Sequence, residues 1–217
     1  MEQVIRPQHV SLSPGLARLW RSPARLWRCL ALLWCALALG CATGDVEGDG
    51  VFREGLTKAE AGQVDAALQI LQEGAKSYPS HVRMRFELAR LQYEKGEAFH
   101  LGERRAIRAS TRFLTAGKRE EAAANRRLAT QQRAKALPFY QAARENLHYV
   151  TRHESENRRE AWALFLLMRV AVFFGDYETA YEHLEHAIKL GKPTGRKLAQ
   201  WREYQGGLRS KLRHTDF

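Results

Sequence analysis

Apolar residues recur along much of this chain at intervals of three and four, which is the spacing of one face of an α-helix. The clearest example is the segment 161–193, in which two such patterns flank a Gly175-Asp176 turn. Small residues stand where the two helices have to approach closely, at Ala171, Ala180 and Ala187. The pattern predicts a helix–turn–helix unit over residues 161–193.

Two other segments show related patterns. Residues 51–79 predict the first helix pair of the chain, with Gly62 in the turn between its helices. Residues 194–217 predict a final helix, because large apolar residues recur there at helical spacing. The pair Gly206-Gly207 is a potential break in that helix, since glycine is a poor helix former.

The middle of the chain predicts a helix pair whose two members are far apart in sequence. Residues 82–96 predict a first helix that ends at Gly96, and residues 136–150 predict the second helix. An insertion, residues 97–135, separates the two. Pro138 lies in the second helix, where a proline removes one backbone hydrogen bond, so we expect a kink or a helix start there.

These helix pairs, with their turn positions and small residues, resemble the tetratricopeptide repeat, a helix–turn–helix unit of about 34 residues. The resemblance implies an all-α fold: a short helical solenoid with three repeats, a basic helical insertion and a capping C-terminal helix. Composition favours the same class independently, because Val and Ile are sparse and no segment alternates steadily between apolar and polar residues.

The N-terminal segment, residues 1–40, has the organisation of a secretory signal peptide. An uncharged apolar run over residues 30–39 follows a basic region. That run is too short to span a bilayer, which takes about 20 apolar residues. The arginines of the basic region are Arg18, Arg21, Arg25 and Arg28.

The pair Gly40-Cys41 follows the apolar run and resembles the lipobox of bacterial lipoproteins. The resemblance implies cleavage before Cys41 and acylation of that cysteine, and an ordinary cleaved signal or an uncleaved anchor are the alternatives. Cys29 and Cys35 lie inside the signal segment, so no disulfide framework is expected in the mature chain. Residues 41–50 are rich in Gly and Asp and predict a flexible tether.

The net charge of +11 is concentrated in the insertion. Residues 101–135 contain ten basic and three acidic residues, a net charge of +7 that equals the net charge of the whole chain from Cys41 onward. Such a block attracts anionic lipid, an acidic protein or an anionic envelope polymer, unless it is simply a solvated hairpin. Phe113 is its single aromatic residue, so base stacking is not supported and no nucleic-acid partner is expected. The basic residues are Arg104, Arg105, Arg108, Arg112, Lys118, Arg119, Arg126, Arg127, Arg133 and Lys135.

The sequence contains no recognisable catalytic motif: a Gly-rich phosphate loop, a GxSxG elbow and an HExxH helix are all missing. His183 and His186 share a helical face, but no third ligand is indicated, so we interpret them as exposed polar residues. Trp162 and Trp201 are interpreted as core or capping aromatics, with the lining of a groove as the alternative. We predict no enzyme activity, no metal and no cofactor.

The resemblance implies a protein-binding adaptor or scaffold, because such repeats present a concave groove to a peptide or helix of a partner protein. Together with the lipobox, it implies a lipid-anchored protein of the bacterial cell envelope that faces the periplasm, on the outer membrane in a Gram-negative cell. The alternative is a binder of the membrane surface or of an anionic envelope polymer that acts through residues 101–135. The candidate groove residues implied by the resemblance are Arg83, Phe86, Glu87, Arg90 and Arg169.

Overall fold

The structure, a computed structural model, describes residues 47–215. The described residues belong to one compact unit that begins at Glu47. The predicted signal segment, Cys41 and the start of the predicted tether lie outside the described residues.

The described part of the chain consists of helices joined by short turns and contains no strand, which confirms the prediction of an all-α protein. From α2 onward, each helix packs mainly against its neighbours in chain order, as expected for stacked helix pairs. The seven helices are α1 (residues 47–60), α2 (Val64–Ser77), α3 (Val82–Thr115), α4 (Arg119–His153), α5 (Asn157–Phe174), α6 (Tyr177–Gly191) and α7 (Gly195–Thr215).

Both predicted glycine turns are present. Gly62, between α1 and α2, has φ of 74°, and Gly175, between α5 and α6, has φ of 80°. Glycine adopts this left-handed conformation without a steric penalty, which explains why it ends the first helix of each pair. Asp176 then begins α6, because its side-chain oxygen accepts a hydrogen bond of 3.1 Å from the backbone N–H of Thr179.

Small residues stand where the helices approach one another closely. Ala180 and Ala187 on α6 are fully buried, as the spacing predicted. Gly74 on α2 is packed so tightly that an added Cβ would lie 2.5 Å from the Sδ atom of Met84 on α3. The contacts between α2 and α3 and around α6 therefore depend on the absence of larger side chains.

The second helix pair differs from the sequence prediction. Helix α3 continues through Gly96, so the prediction that Gly96 ends it is wrong. This glycine instead lets α4 come close, because an added Cβ would lie 3.3 Å from the ring of Tyr140. Helix α4 likewise continues through Pro138, so that residue is not a helix start. The insertion is therefore the distal half of one long α3–α4 pair.

Two smaller predictions, one about the tether and one about α7, are also corrected. Residues 47–50, expected to belong to the tether, are helical and lie against the connection between α2 and α3, where Asp49 lies 3.0 Å from the Nε2 atom of His81. Helix α7 runs through Gly206-Gly207 without a break. Trp201 and Leu208 on either side of these glycines are buried in the core, which holds this part of α7 in place.

The core contains two apolar clusters that share helix α3. The N-terminal cluster surrounds Leu71 and Met84, both of which are fully buried. The C-terminal cluster surrounds Tyr140 and Leu184 and includes the buried face of α5. Helix α3 supplies residues to both clusters, which ties the first helix pair to the rest of the fold. The α3 residues in the N-terminal cluster are Met84, Leu88 and Leu91, and those in the C-terminal cluster are Ala89 and Tyr93.

Candidate functional site

Arg169 joins three helices at one polar centre. It lies on α5, where its Nη2 group donates a hydrogen bond of 3.2 Å to Glu97 of α3. Its Nη1 group donates a second bond, of 3.1 Å, to the hydroxyl oxygen of Tyr204 on α7. Helices α3 and α5 are the first members of their pairs, so this centre lies on the helices from which the resemblance implies a groove.

Glu97 completes the centre by accepting hydrogen bonds from two tyrosines. The hydroxyl of Tyr140 donates to it over 2.7 Å, and that of Tyr93 over 3.4 Å. Burial raises the pKa of both tyrosines, and the neighbouring carboxylate raises it further, so both remain protonated donors at neutral pH. We call Tyr93, Glu97, Tyr140, Arg169 and Tyr204 the Arg169 cluster.

Burial alone would lower the pKa of Arg169, but the surrounding tyrosines and Glu97 outweigh it, and the pKa is raised. The guanidinium also lies over the rings of Tyr93 and Tyr204, with its central carbon 5.8 Å and 5.4 Å from their centroids. Arg169 is therefore a fixed positive charge, held by a carboxylate and by two aromatic faces.

An open cavity of about 460 Å³ lies beside this cluster, between α5 and α7. Its lining is largely apolar, and Val172 on α5 leaves 37% of its surface exposed there. Charged and polar side chains complete the lining. The lining residues other than Arg169 and Tyr204 are Met168, Val172, Tyr177, Gln200, Glu203, Gly207, Leu208 and Lys211.

The other four predicted groove residues form a separate row on α3. Arg90 bonds to Glu87 over 2.6 Å and to Glu94 over 2.5 Å, along the surface of the helix. Phe86 is half-buried against the C-terminal cluster, and Arg83 is exposed. Of the five predicted residues, only Arg169 belongs to the Arg169 cluster.

The sequence pattern did not indicate Glu97 as the partner of Arg169. Glu97 follows Tyr93 by four residues and therefore shares its helical face, which is a usable signal. That signal was hidden because the first helix was predicted to end at Gly96. The partnership itself spans 72 residues of sequence, so only tertiary packing reveals it.

The structure also places the predicted tryptophans and histidines. Trp201 is buried and stacks on Phe165, with ring centroids 4.8 Å apart, which confirms its assignment to the core. Trp162 is half-buried beside it. His186 is exposed as predicted, whereas His183 is half-buried and faces His148 of α4 at 6.1 Å between centroids, so the interpretation of His183 as exposed is wrong. Within residues 47–215, no three His, Cys, Asp or Glu residues lie together as a metal would require.

Because His148 and His183 face each other in a half-buried position, we expect the stability of the protein to depend on pH. Burial lowers the pKa of both His148 and His183 below the usual 6.5. The positive charges of Arg152 and Arg144 lower the pKa of His148 further. His148 likewise lowers the pKa of His183, whereas Asp176 raises it in part. These two histidines therefore bind protons more tightly in the unfolded chain than in the folded protein. The free energy of unfolding should fall as the pH drops below about 6.5.

This dependence is measured from urea midpoints at neutral pH and near pH 5. A protein with both His148→Gln and His183→Gln should lose less stability over that interval than the parent protein. His153→Gln, at an exposed histidine, is the control and should keep the full dependence. Equal pH dependence in the parent and the double variant would contradict the assignment.

A comparison with models of known protein families finds no match, and a comparison with curated proteins finds none either. Among the helices of residues 47–215, none combines the length and apolar character needed to cross a membrane.

Proposed function

We propose that this protein is a lipid-anchored adaptor of the tetratricopeptide type that binds a protein or peptide partner in the bacterial cell envelope. The observation that carries the proposal is the Arg169 cluster with its adjoining cavity, built by α3, α5 and α7. The proposal includes no catalytic step and no cofactor.

The cavity has the properties of a peptide-binding surface. Its apolar wall, with Val172 partly exposed, can take one large apolar side chain of a partner and remove it from water. Gln200 and Glu203 of α7 also line the cavity and can bond polar groups of the partner. An extended segment or a helix with a single apolar anchor fits this arrangement.

The Arg169 cluster would hold this surface open before a partner arrives. The guanidinium of Arg169 bonds to α3 and α7 at once and so ties both helices to α5. A surface that is already ordered loses less conformational entropy on binding, which favours affinity.

The anchor belongs to the proposal on sequence grounds alone. Acylation of Cys41 would attach the chain to a membrane, and the export signal before it would place the folded unit on the periplasmic side. Several acyl chains hold a protein on a bilayer stably, whereas one chain holds it weakly.

Site-specific photocrosslinking in the native envelope tests the proposal. A photoreactive amino acid at position 172 should yield a discrete crosslinked protein, while the same group at the exposed position 53 on α1 should not. The crosslinked segment of the partner, made as a peptide, should bind the protein and should lose about tenfold or more in affinity to Val172→Asp.

The matched control is Leu128→Asp, which adds the same charge at another exposed aliphatic residue, on α4. Peptide binding should be unchanged by this control and should persist at high salt. Equal loss in both variants, or no discrete crosslink at position 172, would reject the cavity as the binding surface.

A further inference from the structure

The distal halves of α3 and α4, residues 101–135, form a second surface, which we call the distal hairpin. We infer that the distal hairpin docks on an anionic membrane surface, with aliphatic side chains entering the head-group region and arginines bonding to lipid phosphates. This inference is independent of the Arg169 cluster and of acylation at Cys41.

Exposed aliphatic residues are concentrated on this hairpin and on the turn of α4 that directly follows it. Of the six large apolar side chains that are exposed in the described part of the chain, five lie there and only Val172 lies elsewhere. Isolated exposed leucines are common on proteins, but concentration on one pair of helices marks an interaction surface. The five are Leu101, Ile107, Leu114, Leu128 and Leu137.

The same hairpin carries basic charge that the protein does not neutralise. All ten of its Lys and Arg residues are exposed. Within residues 47–215, Arg133 is the one that pairs with a carboxylate, at 3.2 Å from Glu103. Glu103 is buried and also bonds to His100, so it is already engaged. Nine cations are thus left to face solvent or an anionic surface.

Aliphatic and basic residues meet along one groove of the hairpin. A shallow depression of about 460 Å³ lies between the helices, lined by Ile107 and Leu114 on α3, by Arg126 on α4, which pairs with no carboxylate of residues 47–215, and by the Arg133–Glu103 pair. Ile107 is 48% exposed and Leu114 is 42% exposed, which is unfavourable in water alone. A bilayer surface offers both partners together: phosphates for the arginines and an apolar layer for the aliphatic side chains.

The hairpin presents these residues on a packed base. Ala106 on α3 and Ala122 and Ala129 on α4 are buried along its seam. Ser110 is also buried there and donates a hydrogen bond of 2.9 Å to the carbonyl oxygen of Ala122. The surface is therefore ordered before it meets a membrane, which reduces the entropic cost of docking.

Nucleic acid and soluble polyanions explain less of this surface. They would use the positive charge but leave the exposed aliphatic residues without a role. Phe113, half-buried, is the only aromatic residue in the segment, so no platform for base stacking exists within it.

Vesicle flotation tests the inference with residues 47–217, the separate compact unit that contains both core clusters and lacks Cys41. The protein should float with vesicles of phosphatidylglycerol and phosphatidylcholine, and not with phosphatidylcholine alone. Ile107→Ser with Leu114→Ser, and separately Arg112→Gln with Arg126→Gln, should each weaken binding about tenfold.

Matched controls separate the hairpin from general charge and from the cavity. Arg53→Gln with Lys76→Gln removes two exposed cations from α1 and α2 and should leave vesicle binding unchanged. Circular dichroism of every variant confirms that it is folded. Val172→Asp is read by peptide binding, whereas the hairpin variants are read by vesicle flotation. The failure of one proposal is therefore distinguishable from the failure of the other.

A label shows whether the aliphatic side chains enter the bilayer. Residues 47–217 contain no cysteine, so Leu114→Cys can carry one polarity-sensitive dye. Its emission should shift to the blue on anionic vesicles, whereas the dye on Ser210→Cys, on α7, should not respond. Three outcomes overturn the inference: no flotation, equal flotation with neutral vesicles, or flotation that soluble polyphosphate abolishes while the dye at position 114 stays in water.

Discussion

Replacing Glu97 with alanine is expected to lower the free energy of unfolding by about 3 kcal/mol. The substitution removes the acceptor of the Arg169 Nη2 group and of the buried Tyr140 hydroxyl, so Arg169 keeps only its bond to Tyr204 and the hydroxyl keeps none. The side chains of Arg169 and Glu97 keep 27% and 22% of their surface exposed, which places the loss below that of a fully buried pair. Urea unfolding at neutral pH measures it.

The control is Glu94→Ala, three residues earlier on the same helix. Glu94 is exposed and pairs with Arg90 on the surface, so its removal should cost less than about 1 kcal/mol. Glu97→Gln keeps an acceptor but loses the charge and should fall between the two. If Glu97→Ala unfolds at the same urea concentration as Glu94→Ala, the Arg169 cluster does not hold the three helices together.

Replacing Leu71 with alanine is expected to cost about 3 kcal/mol, because Leu71 is fully buried in the N-terminal cluster. The loss should lower the stability of the whole unit, not only that of its first helix pair. Helix α3 contributes Leu88 to the N-terminal cluster and Tyr93 to the C-terminal cluster, so neither cluster keeps its packing when the other unfolds.

Two probes of residues 47–217 distinguish shared from separate unfolding. This unit contains only Trp162 and Trp201, which lie in the C-terminal cluster, so tryptophan fluorescence reports on that cluster alone. Circular dichroism reports on all the helices. In Leu71→Ala, the unfolding transitions recorded by the two signals should move together to lower urea concentration. Replacing the exposed Leu128 with alanine should change the free energy of unfolding from either signal by no more than about 0.5 kcal/mol. A dichroism transition that precedes the fluorescence transition would show that the first pair unfolds separately.

Local patterns were sufficient to predict the two helix pairs that flank α3 and α4. Gly62 and Gly175 mark their turns because each adopts a backbone conformation that favours glycine. The buried alanines of α6 were found in the same way, since helical spacing alone places Ala180 and Ala187 on one face. These features depend on residues close in sequence.

The same local rules failed in the long α3–α4 pair. Gly96 and Pro138 are poor helix formers, and their usual meaning is a helix end or a kink. Here the two helices pack along each other, and Gly96 supplies the room that Tyr140 requires. Packing between the helices outweighs the local cost, which a helix considered alone does not reveal.

The sequence by itself determined that this protein is all-α, that turns lie at Gly62 and Gly175, and that its positive charge is concentrated in residues 101–135. Tertiary structure decided which charges are paired: Arg169 meets Glu97 across 72 residues, whereas nine cations of the distal hairpin meet no carboxylate in the described part of the chain. It also decided that Val172 and Leu114 stay exposed. The physical reason is that helix periodicity is a local property, while charge pairing and burial depend on which helix faces become neighbours.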